Sequence, residues 1–210
     1  PLVVRLAPKL VATLDRAIRF CQATLTYGRS VDETPRLAPT PLRLIAAEAA
    51  ETAMLSSREA IEFHNDAPQD FIVQVDREQF FRALLNLFRN AVEALDSAGS
   101  TVGAPAIRLS ATRAGGAVSI VVADNGPGLP PAARENLFSA FKGAARPGGT
   151  GLGLVIAADL VRAHGGEIGL RAANDPLWPG AAFEIRLPEP AGPAVGTPKS
   201  PAQATANGSH

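Results

Sequence analysis

Cysteine, methionine, tryptophan and tyrosine are scarce in this chain, which has one of each among 210 residues. The lone Cys21 cannot form an internal disulfide or a thiolate metal cluster, a pattern typical of a reducing compartment. Net charge is absent as well, because twenty basic residues balance twenty acidic ones. This balance argues against nucleic acid as a partner. No apolar run approaches the roughly 20 residues that span a bilayer.

Composition divides the chain into four parts. Apolar residues at alternating spacings of three and four, within residues 8–28, predict a bundle helix or a coiled-coil helix. A proline-rich stretch follows, and from Pro188 onward the sequence is mostly Pro, Ala, Gly, Ser and Thr, which predicts disorder. We therefore predict a helix at 1–30, a linker at 31–40, a folded domain at 41–188 and a disordered tail at 189–210.

Hydrophobic periodicity in the central domain predicts a mixture of helices and strands. A helix is expected from Leu42, and strands are expected within 59–66 and at 71–75. Asp76 is expected to cap a long helix, with Gln79 as its capping-box partner. The apolar face predicted for this helix comprises Phe81, Leu84, Leu85, Phe88, Val92 and Leu95.

Three polar residues, Asn86, Asn90 and Glu93, fall together on the other face of the same helix. A solvated surface would be enough to explain one asparagine. Because asparagine is a mediocre helix former, two of them one turn apart favour a binding site.

A predicted antiparallel hairpin follows, and its second strand ends in the sequence DNGPGL at residues 124–129. Asp124 closes the strand, and Gly126 and Gly128 form a tight bend. A carboxylate fixed at a buried strand end can accept a hydrogen bond from an exocyclic amino group, such as that of adenine.

Glycine is concentrated in the sequence GGTGLGL, residues 148–154, directly before a predicted helix. Glycine permits close backbone approach and a helix N-terminus favours anions, so this segment predicts a phosphate site. It has neither the lysine of a P-loop nor the GxGxxG spacing of a dinucleotide fold. Both of those nucleotide motifs are therefore excluded.

The preceding stretch, residues 130–147, has the length of a mobile active-site loop. We expect Phe138 and Phe141 to anchor it to the domain. Lys142 and Arg146 are candidates either for phosphate contacts or for solvated surface positions.

Taken in order, NLFRNA, DNGPG, LFSAF and GGTGLGL resemble the N, G1, F and G2 boxes of sensor histidine kinases, in the superfamily of gyrase, Hsp90 and MutL. The resemblance covers roughly residues 36–188. It implies an α+β fold, a two-layer α/β sandwich with helices on one face of a mixed sheet. The helix within 8–28 resembles the second helix of the dimerisation and phosphotransfer hairpin, although it could instead pack on its own domain.

The resemblance also implies which residues bind ATP and Mg²⁺. Asn90 would coordinate the metal with Asn86 assisting, and Asp124 would hold the adenine amino group. Gly126 and Gly128 would let the backbone pass close to the nucleotide. Contacts to the phosphates are implied for Gly149, Thr150, Gly151 and Gly153, and Lys142 is kept as the candidate named above for a further contact.

Asn86 also bears on the reaction, because superfamily members that hydrolyse ATP typically carry a glutamate there, and asparagine cannot act as a general base. We therefore expect a kinase that passes the γ-phosphoryl group of ATP to a histidine, for transfer to a response-regulator aspartate. The alternatives are an ATP-hydrolysing relative and a non-catalytic scaffold or phosphotransfer protein. Glu93 stands where many such kinases carry a basic residue, so no phosphate contact is expected there.

The phosphoacceptor helix of such kinases, with a histidine followed by an acidic residue, is not found in this sequence. His64 lies in a predicted strand, His164 ends a predicted helix and His210 ends the tail. We therefore predict a piece of a longer kinase that binds Mg·ATP but cannot phosphorylate itself. The full-length protein is expected to be a homodimer in the cytoplasm, or the cytoplasmic part of a membrane-bound sensor.

Overall fold

The computed structural model describes residues 34–134, 137–139, 151–172 and 175–189. In chain order the elements are β1 (Ala38–Pro41), α1 (Leu42–Met54), β2 (Glu62–Asn65), β3 (Ile72–Val75), α2 (Arg77–Ala98), β4 (Ala106–Ala114), β5 (Ala117–Asp124), α3 (Pro131–Arg134), α4 (Gly153–Ala163), β6 (Glu167–Arg171) and β7 (Ala182–Pro188). The helix predicted at 1–30 and nearly all of the tail predicted at 189–210 lie outside the described residues. No helix within the described ranges is long and apolar enough to cross a membrane.

Five strands form one mixed sheet in the order β2-β4-β5-β7-β6. The β2–β4 pair is parallel and the other three pairs are antiparallel. Helices α1, α2 and α4 pack on one face of this sheet. The predicted α+β sandwich is therefore confirmed, and so is the β4–β5 hairpin with its Gly115-Gly116 turn at positive φ.

The core lies between the sheet and the three helices. Its largest fully buried side chains come from α1, α2, α4 and the strands: Phe80, Phe88, Leu42, Ile45, Leu84, Leu87, Leu95, Ile107, Leu109, Ile120, Leu160 and Ile185. The predicted apolar face of α2 was partly wrong, because Phe80 and Leu87 are buried whereas Phe81 and Leu85 are only half-buried. Helix α2 contacts α1, α4 and the sheet, so its buried face is wider than a single stripe.

The end of the predicted linker is a strand. Strand β1 pairs with β3 as a separate two-stranded antiparallel sheet, with Thr40 opposite Val73. Its prolines, Pro39 and Pro41, indicated a linker in the sequence. Because proline lacks an N–H, it is tolerated in edge strands, and the ordered part of the chain therefore starts before residue 41.

The predicted N-cap of α2 is confirmed. Asp76 Oδ1 accepts hydrogen bonds from the backbone N–H groups of Glu78 and Gln79, both at 3.1 Å. The N–H of Asp76 itself, which a capping box would direct to Gln79, donates to His164 Nε2 at 3.0 Å. The start of α2 is thus joined to the end of α4.

Candidate functional site

Helix α2 carries the two predicted asparagines one turn apart on a half-buried surface. Asn86 Nδ2 donates to the carbonyl oxygen of Arg82 at 2.9 Å, which fixes the orientation of the amide and identifies Oδ1 as its outward atom. Asn90 has no side-chain hydrogen-bond partner among the described residues. Its amide oxygen is therefore available as a ligand on this face.

Asp124 lies at the end of β5 with 2% of its surface exposed. Its Oδ1 accepts from the N–H groups of Gly126 at 3.0 Å and Ala181 at 3.3 Å. The backbone of Asp124 also bonds to Ala181 and Gly180 at the start of β7. These bonds fix the direction of the carboxylate at the end of β5.

Two glycines allow the backbone to pack directly against this carboxylate. A Cβ placed on Gly180 would lie 2.0 Å from Asp124 Oδ1, and one placed on Gly126 would lie 2.9 Å from the same atom. Gly128 adopts a φ of 73° and packs near the Gly180 backbone. Gly180 was missed in the sequence, where its Pro-Gly pair indicates only a turn.

Asn125 was also missed, because asparagine is an ordinary turn residue. It is 4% exposed, and its Oδ1 accepts from Ala106 N at 2.9 Å. Its Nδ2 donates to the carbonyl oxygens of Val102 and Ala104, both at 2.7 Å. Asn125 therefore ties the loop before β4 to the end of β5 and holds Asp124 in place.

The glycine-rich segment meets α2 at Asn86. Gly151 has a φ of 69°, and α4 begins at Gly153, where an added Cβ would lie 3.4 Å from Asn86 Oδ1. The N-terminal end of α4, with its partial positive charge, therefore lies beside the asparagine face. The other predicted phosphate contacts, Lys142, Gly149 and Thr150, lie outside the described residues, as does Arg146.

The loop after Asp124 meets α2 farther along the same helix. A Cβ on Gly126 would lie 3.4 Å from Leu95 Cδ2 and 3.8 Å from Ala94 Cβ. Asn90 sits between this contact and the Gly153 contact at Asn86. The two glycine segments thus converge on a stretch of α2 that is about 12 Å long.

A cleft lies beside Asp124, on the side of the β6 and β7 ends. Its lining residues are Leu129, Arg134, Leu170, Arg171, Ala172, Gly180 and Ala181. The lining of the cleft includes Gly180 and Ala181, whose backbone bonds to Asp124. Phe138 packs against the core below, as predicted for an anchor, whereas Phe141 lies outside the described residues.

Comparison with known families and curated proteins gives a consistent result. The model of the family described as "Histidine kinase-, DNA gyrase B-, and HSP90-like ATPase" matches residues 75–191. The nitrogen regulation protein NtrY of Azorhizobium caulinodans is 33% identical over 178 residues, covering 78% of this chain and 23% of NtrY. The sensory histidine kinase/phosphatase NtrB of Salmonella typhimurium is 40% identical over 119 residues, covering 54% of this chain and 32% of NtrB. The chain thus spans about a quarter to a third of the length of these relatives.

Solved structures resemble the fold over most of the chain. The mycobacterial sensor histidine kinase MprB superposes with a TM-score of 0.60 at 27% identity, covering 72% of this chain and 97% of that one. Full-length ShkA in complex with AMPPNP superposes with a TM-score of 0.64 at 28% identity, covering 83% of this chain and 36% of that one.

Proposed function

Because the chain belongs to the histidine kinase-, DNA gyrase B- and HSP90-like ATPase family, we propose that it acts as the ATP-binding catalytic region of a two-component sensor histidine kinase. It transfers the γ-phosphoryl group of ATP to a histidine outside this chain. The observation that carries the proposal is the convergence of the Gly126 loop and the start of α4 on one stretch of α2, with Asn90 between them. Within this family, the relative NtrB and the structural neighbour MprB are both named as histidine kinases, which supports a kinase function for this chain.

The end of the site at Asp124 fits adenine. A buried carboxylate whose direction is fixed by backbone N–H groups is an acceptor for the exocyclic amino group, the donor that distinguishes adenine. Gly126 and Gly128 bring the backbone close to the base. The neighbouring cleft, with Leu129 and Leu170, supplies apolar surface for the ring.

The end of the site at Asn86 and Asn90 fits phosphates and Mg²⁺. Amide oxygens are ligands that Mg²⁺ accepts together with substrate phosphates, so Asn90 would hold the ion with Asn86 assisting. When bound, Mg²⁺ neutralises charge on the transferring phosphoryl group. In this proposal the N-terminal end of α4 would attract the phosphates, and Gly149, Thr150, Gly151, Gly153 and Lys142 would contact them.

Kinase activity is favoured over ATP hydrolysis because of Asn86. Its amide cannot accept a proton from water at neutral pH, so the site has no general base at the position where hydrolysing relatives carry glutamate. In our proposal the oxygen nucleophile of hydrolysis is replaced by a histidine nitrogen supplied by the helical hairpin. In this proposal residues 1–30 are part of that hairpin, residues 31–37 lead into the kinase domain, which begins with strand β1 at Ala38 and extends to 188, and 189–210 are a tail.

The partners follow from this role. The full-length protein is a homodimer through its hairpin, works in the cytoplasm where ATP is available, and passes the phosphoryl group to a response-regulator aspartate. The non-catalytic scaffold is disfavoured because Asp124 and the asparagine pair keep side chains suited to a nucleotide.

The activity is tested by incubating the chain with γ-labelled Mg·ATP and the histidine-bearing hairpin of the full-length protein. We expect label on the added hairpin, none on this chain, and at least a tenfold loss of transfer in Asn90→Ala. Asn65→Ala, which changes an asparagine away from the site, is the matched control. Steady release of phosphate without labelled histidine would support the hydrolase instead, and phosphohistidine on this chain would contradict the assignment of the acceptor.

A further inference from the structure

Helices α2 and α4 run antiparallel along each other and meet at two points. At the nucleotide end, the start of α4 at Gly153 lies against Asn86. At the other end, the start of α2 at Asp76 is bonded to His164, directly after α4. From Asp76 to Asn86 and from His164 back to Gly153 the helices cover about 15 Å and about 16 Å, so both contacts can hold at the same register.

His164 makes the contact with Asp76 through its buried ring. It is 6% exposed, its ring stands edge-on to Phe80, and its Nε2 accepts the Asp76 N–H at 3.0 Å. Because Nε2 accepts, the ring proton must be on Nδ1, which donates to the Leu160 carbonyl at 2.7 Å. Nδ1 is thus bonded to α4, and Nε2 is bonded to the N-cap residue of α2.

The same junction holds a third segment. The N–H of Arg36, at the entry of the chain into the domain, donates to Asp76 Oδ2 at 3.1 Å. Burial raises the pKa of Asp76, but the N–H donors of Gln79, Arg36 and Glu78 outweigh burial and hold the pKa below its ordinary value. The carboxylate therefore stays ionised at neutral pH and keeps the junction assembled.

We infer that His164 is a positioning residue for the nucleotide site, because its bond to Asp76 sets the axial register of α4 on α2. A slip of α4 by one residue would move Gly153 by about 1.5 Å relative to Asn86 and open the phosphate end of the site. His164 acts through the helices and touches neither nucleotide nor metal. The inference rests on the proposed function only in the experiments that use nucleotide binding.

Two substitutions of His164 test the roles of its two ring nitrogens one at a time. Asn places an amide nitrogen where Nδ1 stands and keeps the bond to Leu160, whereas Gln reaches the position of Nε2 and keeps an acceptor for Asp76. His164→Asn therefore removes only the bond between the helices. His164→Gln is its matched control, and a role confined to stabilising α4 would favour Asn over Gln.

The first readout is amide hydrogen exchange without nucleotide. In His164→Asn we expect exchange at the Ile156 N–H, in the first turn of α4, to be about tenfold faster than in the native chain. Exchange at Ile120 in the centre of the sheet should not change, and His164→Gln should stay within about threefold of native at both amides. Equal acceleration at Ile120, or no acceleration at Ile156, would overturn the inference.

The second readout is the affinity for Mg·ATP, measured well below the unfolding temperature. We expect a loss of about five- to tenfold in His164→Asn and less than about threefold in His164→Gln. Native affinity in both variants would overturn the inference. If the native chain itself does not bind Mg·ATP, the proposed function fails, and the exchange experiment alone decides the role of His164.

A third measurement needs no variant and covers the case in which His164→Asn does not fold. Coupling between two sites is reciprocal, so Mg·ATP binding at Asn86 should tighten the junction. We expect slower exchange of the Asp76 N–H in the native chain when Mg·ATP is bound. Unchanged exchange under saturation would show that the junction and the nucleotide site are independent.

Discussion

The two ends of the candidate site differ in how firmly the protein holds its own polar groups. At one end Asp124 is buried and bound by backbone N–H groups of the segments that follow β5 and precede β7, with Asn125 fixing the loop beside it. At the other end Asn86 and Asn90 are half-buried on a helix surface, and Asn86 is held by one bond within its own helix. Adenine must be recognised by a fixed pattern of donors and acceptors, whereas phosphates and a metal bring their own charge and can organise the groups that meet them.

Gly180→Ala should have the largest effect, because Gly180 packs against Asp124, at the end of the site where the polar groups are held most firmly. Its Cβ would overlap Asp124 Oδ1, so the carboxylate or the start of β7 must move. We expect the free energy of unfolding to fall by about 3 kcal/mol, measured by urea denaturation, and Mg·ATP binding to be lost.

Gly169→Ala is the control for Gly180→Ala, since no atom lies within 4 Å of a Cβ at Gly169 in the neighbouring strand β6. It should change stability by less than about 0.5 kcal/mol and leave binding intact. Equal stability of the two variants would contradict the packing of β7 against Asp124.

Asn125→Ala should be next, because it removes one buried and two partly buried hydrogen bonds that link the end of β5 to the start of β4 and to the loop before it. We expect a loss of about 2 kcal/mol in unfolding free energy, together with weaker Mg·ATP binding. Asn65→Ala, which removes one bond to the Arg43 carbonyl, should cost about 1 kcal/mol and leave affinity unchanged. A native affinity in Asn125→Ala would mean that Asp124 does not depend on its neighbour.

Gly153→Ala, at the other end of the site, should weaken Mg·ATP binding without lowering the stability of the chain. Alanine suits a helix better than glycine, so thermal unfolding should shift upward slightly or not at all. The added Cβ would fill the space beside Asn86 Oδ1, in contact at 3.4 Å, where the phosphates and the metal are proposed to bind, and we expect Mg·ATP affinity to fall about fivefold. A drop in stability comparable to that of Gly180→Ala would remove the distinction between the two ends.

Glu184→Gln should have the smallest effect, because Glu184 lies on the sheet face away from the helices. The Ser119 hydroxyl holds the pKa of Glu184 below its ordinary value, against the opposing effect of burial and with help from Arg186. A lowered pKa contributes stability above pH values near the ordinary pKa, and this contribution is lost as the pH falls through the folded pKa.

The Glu184→Gln variant should therefore be less stable than the native chain by about 0.5 kcal/mol at pH 7, and the gap should close as the pH falls through the lowered pKa of Glu184 in the folded chain. Mg·ATP affinity should match native. Glu167→Gln, at a more exposed partner of Arg186, is the control and should show no measurable change in stability at either pH. A gap that widens in acid would contradict this account.

The sequence predicted those parts of the fold that depend on local patterns. Asp76 as an N-cap, the Gly-Gly turn of the hairpin and the asparagine pair of α2 are all encoded within a few neighbouring residues. The buried face of α2 was partly wrong because burial there depends on α1 and α4 packing from two sides, which no single helical stripe records. The strand β1 was hidden for a related reason, since its pairing partner lies more than thirty residues away.

The candidate site was predicted only in part for the same physical reason. Asp124 and Gly126 are only two residues apart in the sequence, so their contact could be anticipated from a tight bend. Gly180 and His164 act through partners far away in the chain, Asp124 and Asp76, and their own neighbourhoods indicate only a turn and a helix end. Residues that hold other residues in place are therefore the ones that local patterns miss.

The most direct test of the account is calorimetric titration of Mg·ATP into the native chain and into Asp124→Asn. Asp175→Asn, which changes a carboxylate in the loop between β6 and β7, is the control. Asn keeps an oxygen for the Gly126 N–H but presents a donor where adenine needs an acceptor. We predict one Mg·ATP site per native chain, native affinity in the control, and a loss of about 100-fold or more in Asp124→Asn. No binding to the native chain, or equal binding to all three, would contradict the nucleotide site at Asp124.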